Sequence, residues 1–311
     1  MKVHHSIEKF RPNDPVVLTQ GTFDGIHIGH QHILKHLVAQ AKKLGGESVL
    51  LTFYPHPRLV LYPNDNELKL LTDLEEKINL VSELGLDHLI VLPFTKELSR
   101  LSPEQFVDTV LIDQLKVSKV IVGYDHRFGR NREGSFIDME RFARAKKFEL
   151  QEIPAHDVDE CIVSSTKIRQ ALLGGDIEEA NLLLGRKYSL NGEVVHGNKR
   201  GKDLGYPTIN LHISSEYKLI PNNGVYAAHA MIEGHTYGAM LNIGDNPTFD
   251  DKNWSIEAHI FEFNKNVYNQ KVEIAFVKKM RDEMKFNSVD ELKSQMTKDE
   301  VLAKRIIENT L

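Results

Sequence analysis

The sequence predicts an α/β domain followed by an all-β domain: a doubly wound, mainly parallel sheet, then an antiparallel barrel or sandwich closed by one terminal helix. Three observations carry this expectation. From Val16 to about Leu173 short apolar runs alternate with helix-period segments, the grammar of a parallel sheet whose crossovers are helical. After Gly174-Gly175 and a helical stretch ending near Leu184, Gly, Asn and Pro break the chain into closely spaced strand candidates, which read as antiparallel. At 311 residues the chain exceeds what one core usually organises, so two domains are expected, 1–184 and 185–311, with the boundary near Gly185.

In order, Val16 to Thr19, Ser48 to Phe53, His88 to Leu92, Lys119 to Val122 and Phe148 to Ile153 read as the first domain's strands. Its first helix carries Ile33, Leu34, Leu37, Val38, Ala41 and Leu44 on one face and stops at Gly45-Gly46. Thr72 with Glu75, and Ser102 with Pro103 and Gln105, match the capping pattern that satisfies the orphan backbone donors of a helix start. Strand candidates of the second domain are Gly192 to Val195, Gly224 to Ile232, Thr236 to Ile243, Glu257 to Phe263 and Lys271 to Val277. The terminal helix starts at Ser288 with Glu291 as its capping partner.

Composition narrows the function classes. With 41% hydrophobic and 27% charged residues the chain is an ordinary globular sequence. A net charge of −5 opposes a sequence-independent hold on nucleic acid, which needs a basic face to displace counterions. The single cysteine, Cys161, excludes an intramolecular disulfide and a Cys-rich zinc site, and MKVHHSIEKF lacks the apolar core of a signal peptide. Apolar runs such as Leu89 to Leu92 are too short to span a bilayer. The expectation is a cytoplasmic protein with neither nucleic-acid nor membrane partners, its oligomeric state left open.

GTFDGIHIGH, residues 21 to 30, joins the first strand to the first helix, where a parallel sheet presents its ligand crevice. Gly21, Gly25 and Gly29 let backbone approach a ligand, and the helix N-terminus offers N–H groups and a positive dipole to phosphate. His27 and His30 add side-chain donors. The plain alternative is a pair of helix-start histidines with no chemistry. A metal reading of His27, His30 and His32 lacks a carboxylate or cysteine at a zinc spacing. VSSTKIR, residues 163 to 169, starts another helix: Ser164, Ser165 and Thr166 can cap it and bind phosphate oxygens, while Lys167 and Arg169 supply charge. Alone it could equally be simple capping. Together the two segments resemble the two-part nucleotide site of the adenylyl and cytidylyl transferase superfamily, whose signature is His-x-Gly-His.

In the second half, GNKRGKDLGYPTIN at 197 to 210 spaces Gly197, Gly201 and Gly205 around Lys199, Arg200 and Lys202. Such a loop can wrap phosphates with backbone N–H groups or simply face solvent. Thr208 and Asn210 are two apart, so on an extended segment both face one side and can share a metal-nucleotide complex. In IEAHIFEF, alternation puts Glu257, His259 and Phe261 on one face and Ala258, Ile260 and Glu262 on the other. Spacing alone does not say which carboxylate faces a site.

GTFDGIHIGHQ, TFYPHP at 52 to 57, GYDHRFG at 123 to 129 and VSSTKIR resemble, in order, four blocks of the bacterial bifunctional riboflavin kinase/FAD synthetase family. Pro207-Thr208-x-Asn210, NIGDNPTF at 242 to 249 and Glu257 extend the resemblance through the second half. It implies a Rossmann-like nucleotidyltransferase domain that makes FAD from FMN and ATP, and a small β-barrel kinase that makes FMN from riboflavin, with Mg2+ accompanying ATP. By the same resemblance His27 and His30 act on the ATP α-phosphate. Gly21, Phe23, Asp24, Gly29, Ser164, Ser165, Thr166, Lys167 and Arg169 bind that ATP, and Phe53, His56, Asp125 and Phe128 lie at the flavin. In the kinase it gives Gly197, Lys202, Gly205, Pro207, Thr208 and Asn210 to ATP, with Thr208 and Asn210 holding Mg2+. Glu257 is then the base on the ribityl 5′-hydroxyl, and Arg281, Lys285 and Phe286 are flavin or nucleotide contacts. One departure is His126, where many members carry Phe. The rivals are a nucleotidyltransferase for another phosphorylated acceptor and a barrel that only senses or positions flavin; Thr208, Asn210 and Glu257 favour catalysis.

Overall fold

A computed structural model describes residues 1–8, 10–12, 15–63, 68–123, 127–153, 163–197, 205–245 and 254–310. The chain divides into two compact units, Met1–Ser165 and Thr166–Leu311.

The first unit is built on a sheet ordered β1-β4-β3-β2-β5-β6. Its strands are β1 (Lys2–His4), β2 (Val16–Gln20), β3 (Glu47–Tyr54), β4 (His88–Pro93), β5 (Val117–Gly123) and β6 (Glu149–Ile153). All five strand pairs are parallel. Alternation explains why helices cover both faces. Val16, Leu18, Val49, Leu51, Val120 and Val122 pack with Phe106, Leu111 and Phe142, whereas Val17, Leu50, Leu89 and Ile121 pack with Ile33, Leu34 and Leu37. From β2 the chain turns toward β3, and from β5 it turns the other way toward β6. That reversal opens a crevice beyond the C-terminal ends of β2 and β5.

Helix Ile28–Leu44 ends at Gly45 with φ 67°, the left-handed stop expected of the glycine pair. The Ser102–Gln105 capping box is present. The Thr72–Glu75 cap is not: the box belongs to Asp73 and Glu76, one residue on. The reason is that the Thr72 hydroxyl is already engaged, accepting from the Gly25 N–H and donating to Asp24.

In the second unit β7 (Ser189–Val195), β8 (Ile209–His212), β9 (Gly224–Ile232), β10 (His235–Asp245), β11 (Trp254–Ile260) and β12 (Lys271–Arg281) close into a barrel ordered β10-β11-β8-β7-β12-β9. Every pair is antiparallel, so the barrel alternative holds over the sandwich and no strand edge is left open. Ser288 caps the terminal helix Val289–Glu308 by accepting from the Glu291 N–H. Ala303 and Ile307 of that helix pack on Tyr206, Ala227, Met240, Phe261 and Val277.

Helices Ser165–Gly174 and Ile177–Leu184 precede the barrel. Asn181 donates to the Phe276 carbonyl and accepts from the Tyr188 N–H, while the Asn222 N–H donates to the Leu172 carbonyl. These bonds tie both helices to barrel residues. The second compact unit therefore starts at Thr166, ahead of the change in strand spacing near Gly185.

Candidate active sites

The segment after β2 lies at the sheet's switch point and is pinned from below. Asp24 is 3% exposed. Its carboxylate accepts from the N–H groups of Leu71 and Thr72 at 3.1 Å and from Thr72 Oγ1 at 3.3 Å. Asp24 is thus an anchor of the loop. Lys77, also buried, donates from Nζ to the Thr22 carbonyl at 2.8 Å. Burial pushes the Lys77 pKa down, and the nearby Asp24 carboxylate opposes that shift. Between these anchors Phe23 and Ile26 adopt φ of 45° and 40°, a conformation that a β-branched residue holds only when its surroundings enforce it.

His27 is 4% exposed and caps the helix: its Nδ1 accepts from the His30 N–H at 3.3 Å. An accepting Nδ1 carries no hydrogen, which places the hydrogen of a neutral ring on Nε2. The His27 and His30 rings stack with centroids 3.6 Å apart and planes 17° apart, and Phe23 lies 4.7 Å from the His30 ring. Gly29 is buried within the first turn, and the Gly21 N–H donates to the Leu51 carbonyl. Ser165 Oγ donates to the Asp24 carbonyl at 2.9 Å, so the start of the second phosphate motif meets the first. Thr166 and Lys167 are exposed, and Ser164 and Arg169 half-buried. Among the described residues no three His, Cys, Asp or Glu side chains are grouped to hold a metal ion.

The expected flavin residues diverge. Phe53, near the C-terminal end of β3, is half-buried and meets Phe94 edge-on at 5.6 Å. His56 caps a short helix, its Nδ1 accepting from the Arg58 N–H at 3.2 Å. Phe128 is a core residue, 5% exposed and 6.4 Å from Phe106, with its ring over Gly134 where a Cβ would approach within 2.7 Å. Asp125, His126 and Cys161 lie outside the described residues.

In the barrel the register assembles a second cluster. Glu257 of β11 stands opposite Asn210 of β8 and Asn242 of β10. Its neighbours Ile256, Ala258 and Ile260 are buried while Ser255, Glu257 and His259 are half-exposed, which settles the face that alternation left open. Thr208 Oγ1 donates to Glu257 Oε2 at 3.3 Å and Ser255 Oγ to Oε1 at 3.2 Å, holding the carboxylate as an acceptor. The Asn210 amide occupies the space that a Cβ at Gly197 would fill, 2.1 Å from Nδ2. Gly205 has φ +87°, open only to glycine without strain. The Pro207 carbonyl accepts from His259 Nδ1 at 2.8 Å.

Lys199, Arg200, Gly201, Lys202 and positions 246–249 of the downstream block lie outside the described residues. Arg281, expected at flavin or nucleotide, pairs with the buried Asp299 through Nε at 3.1 Å and Nη2 at 2.7 Å, and Gln295 adds a 2.9 Å bond to the same carboxylate. Lys285 is exposed and Phe286 half-buried. Sequence reasoning missed Lys77 and Ser255: Lys77 acts on the Thr22 carbonyl 55 positions away, and Ser255 on the carboxylate two residues along its own strand, and no local motif announces either.

Comparison with known proteins matches each half of the chain to a different family. Residues 9–167 match the family described as FAD synthetase, and residues 184–307 match riboflavin kinase. A bifunctional riboflavin kinase/FMN adenylyltransferase of Listeria monocytogenes is 40% identical over 300 residues, covering 96% of this chain and 95% of its own length. The Bacillus subtilis enzyme of the same name is 37% identical, covering 98% and 96%, and that of Escherichia coli K12 is 32% identical, covering 94% and 93%. A crystal structure from Streptococcus pneumoniae, described as a macrolide-efflux protein, superposes with TM-score 0.89 at 31% identity over 97% of this chain and 98% of that one.

Proposed function

This chain belongs to the bifunctional riboflavin kinase/FMN adenylyltransferase family, and from that premise we propose how its residues divide the family's two reactions. Riboflavin, FMN, FAD and ATP are the small molecules of those reactions. We assign residues 1–184 to adenylyl transfer and 185–311 to riboflavin phosphorylation.

In adenylyl transfer an FMN phosphate oxygen attacks the α-phosphorus of ATP, the new P–O bond forms and pyrophosphate leaves. No proton need move, so the work is placement and charge stabilisation. We propose that Nε2–H of His27 and the stacked His30 ring meet the α-phosphate, with the helix N-terminus behind them. Gly21, Phe23 and Gly29 shape the ATP-facing loop, and Asp24 holds it. Ser164 and Ser165, which belong to the same unit, take the leaving phosphates. The observation carrying this reading is the Ser165–Asp24 bond, which brings both motifs to one loop. Phe53 and His56 remain the candidates for the flavin side.

In the kinase Glu257 accepts the proton of the ribityl 5′-hydroxyl as its oxygen bonds the γ-phosphorus and ADP departs. The Thr208 hydroxyl and the Asn210 amide oxygen are hard oxygen donors, the kind that suits Mg2+ shared with ATP phosphates. When bound, Mg2+ neutralises charge on the transferring phosphoryl group. Gly197, Lys202, Gly205 and Pro207 complete the nucleotide side. Arg281 works through Asp299 to fix the terminal helix, leaving Phe286 as the candidate for the flavin there.

No helix among the described residues is long and apolar enough to cross a membrane. We place both reactions in the cytoplasm, where ATP is supplied and a single cysteine suits the reducing conditions. No macrolide activity is carried over from the S. pneumoniae neighbour, since the matched families and curated relatives agree on flavin chemistry. The test is to give the full chain ATP and Mg2+ with riboflavin or with FMN and to separate the flavins. FMN and then FAD are expected from riboflavin, and FAD directly from FMN; loss of either conversion overturns the assignment of that site.

A further inference from the structure

The β8–β11 ladder stops one residue short of Thr208. Its last pairs are Glu257 with Asn210 and Ala258 with Ile209. Thr208 lies beyond them, and Pro207 has no N–H with which to extend the ladder. Thr208 nevertheless keeps its hydroxyl 3.3 Å from Glu257 Oε2, so something other than ladder bonds must hold the backbone ahead of it.

That hold comes from His259, on the Glu257 face of β11. Its Nδ1 lies 2.8 Å from the Pro207 carbonyl. A carbonyl only accepts, so Nδ1 carries the hydrogen. The ring cannot easily swing away: Tyr206 meets it edge-on at 5.3 Å and Phe261 at 5.9 Å. Both neighbours are buried. Tyr206 is itself fixed to the terminal helix by a 2.9 Å bond between its hydroxyl and Thr297 Oγ1. Thr208 is thereby clamped from both sides, by the ladder at Ile209 and by the imidazole at Pro207.

We infer that His259 is a positioning residue of the riboflavin kinase, setting the backbone at Pro207 so that Thr208 and Glu257 share one geometry. The inference rests on the assignment of Thr208 and Glu257 to that reaction. Its mark is that only one ring nitrogen matters. An asparagine amide nitrogen falls near the Nδ1 position, whereas a glutamine reaches toward Nε2.

The experiment measures FMN formation from riboflavin by full-length His259→Ala, His259→Asn and His259→Gln over a range of ATP concentrations. FAD formation from supplied FMN is followed in parallel, and thermal melting monitors the fold. His259→Ala and His259→Gln are expected to lose roughly 10- to 100-fold in kcat/KM for ATP, the scale of a misplaced reacting group. His259→Asn should stay within about threefold of the parent enzyme, and FAD formation should not change. Parental kinetics in His259→Ala, or an Asn variant as impaired as the Ala variant, overturns the inference. Glu257→Ala run alongside separates the two levels: if it still makes FMN, the site assignment has failed rather than the role of His259.

Discussion

Ser165 Oγ donates a 2.9 Å hydrogen bond to the Asp24 carbonyl, joining the first residue of a helix to a loop 141 positions earlier. Asp24 is in turn fixed by Leu71 and Thr72, so Ser165 leans on a rigid support. Removing the hydroxyl in Ser165→Ala should cost about 1 kcal/mol, the usual net worth of one such bond. The functional effect should be confined to one reaction: KM for ATP rises in FAD formation, while FMN formation keeps its parental constants. Steady-state assays of both conversions check this, and an unchanged KM for ATP in FAD formation sinks it.

The two clusters should also separate by substitution at their centres. Glu257→Ala removes the proposed base, and losses of roughly 100- to 10,000-fold in FMN formation are expected, with FAD still made from supplied FMN. His30→Ala keeps the backbone N–H that His27 accepts from, so the helix cap survives. It should cost roughly 100- to 1,000-fold in FAD formation and spare FMN formation. If either substitution in a folded protein stops both conversions, a model of two independent sites is wrong.

What the sequence made legible were features whose cause is local. The apolar cores of β2 to β5 and the stop at Gly45 follow from neighbouring residues, and so does the Ser102 cap. Thr72 misled because its hydroxyl serves Asp24 and Gly25, 48 and 47 positions away. β1 escaped notice because three residues carry no periodicity; it exists through its pairing with β4. The burial of Phe128 was not legible from its motif, because it depends on the packing of Phe106 and the missing side chain at Gly134. Which face of β11 carries Glu257 was undecided until the burial of Ile256, Ala258 and Ile260 left Glu257 on the half-exposed face, where register sets it beside Asn210 and Asn242.

The edge strand β1 should loosen in mild acid. His4 Nε2 lies 3.0 Å from His88 Nδ1, and His88 Nε2 lies 3.4 Å from Glu47 Oε2. Burial, first, and then the charges of His88 and Lys2 hold the His4 pKa below the ordinary imidazole value. In the window just below that value the unfolded chain binds more protons than the folded one, so stability falls as pH falls. The contribution is complete above pH of about 6.5 and is lost as the solution is acidified through the depressed folded value. Amide exchange of Lys2, whose N–H donates to the Asp87 carbonyl, should therefore speed up below that pH after correction for intrinsic rates. In His4→Gln the dependence should flatten; a pH-independent protection factor in the parent protein rules this out.

Gly197→Ala offers the sharpest separation of fold from function in the barrel. A Cβ there would lie 2.1 Å from Asn210 Nδ2 and 2.4 Å from its Cγ. Gly197 has no positive φ that only glycine tolerates, so the clash is with a side chain and not with the backbone. A short amide on a surface strand can rotate away, so the stability change should stay within about 1 kcal/mol. Rotation takes Asn210 out of line with Thr208 and Glu257, and FMN formation should then fall by roughly 10-fold or more with FAD formation intact. If displacement of Asn210 is the cause, the losses will not add: Gly197→Ala with Asn210→Ala should be no slower than Asn210→Ala alone, the behaviour of two changes acting through one group. Additive losses would mean that Gly197 serves the nucleotide directly, as a backbone contact that any Cβ obstructs.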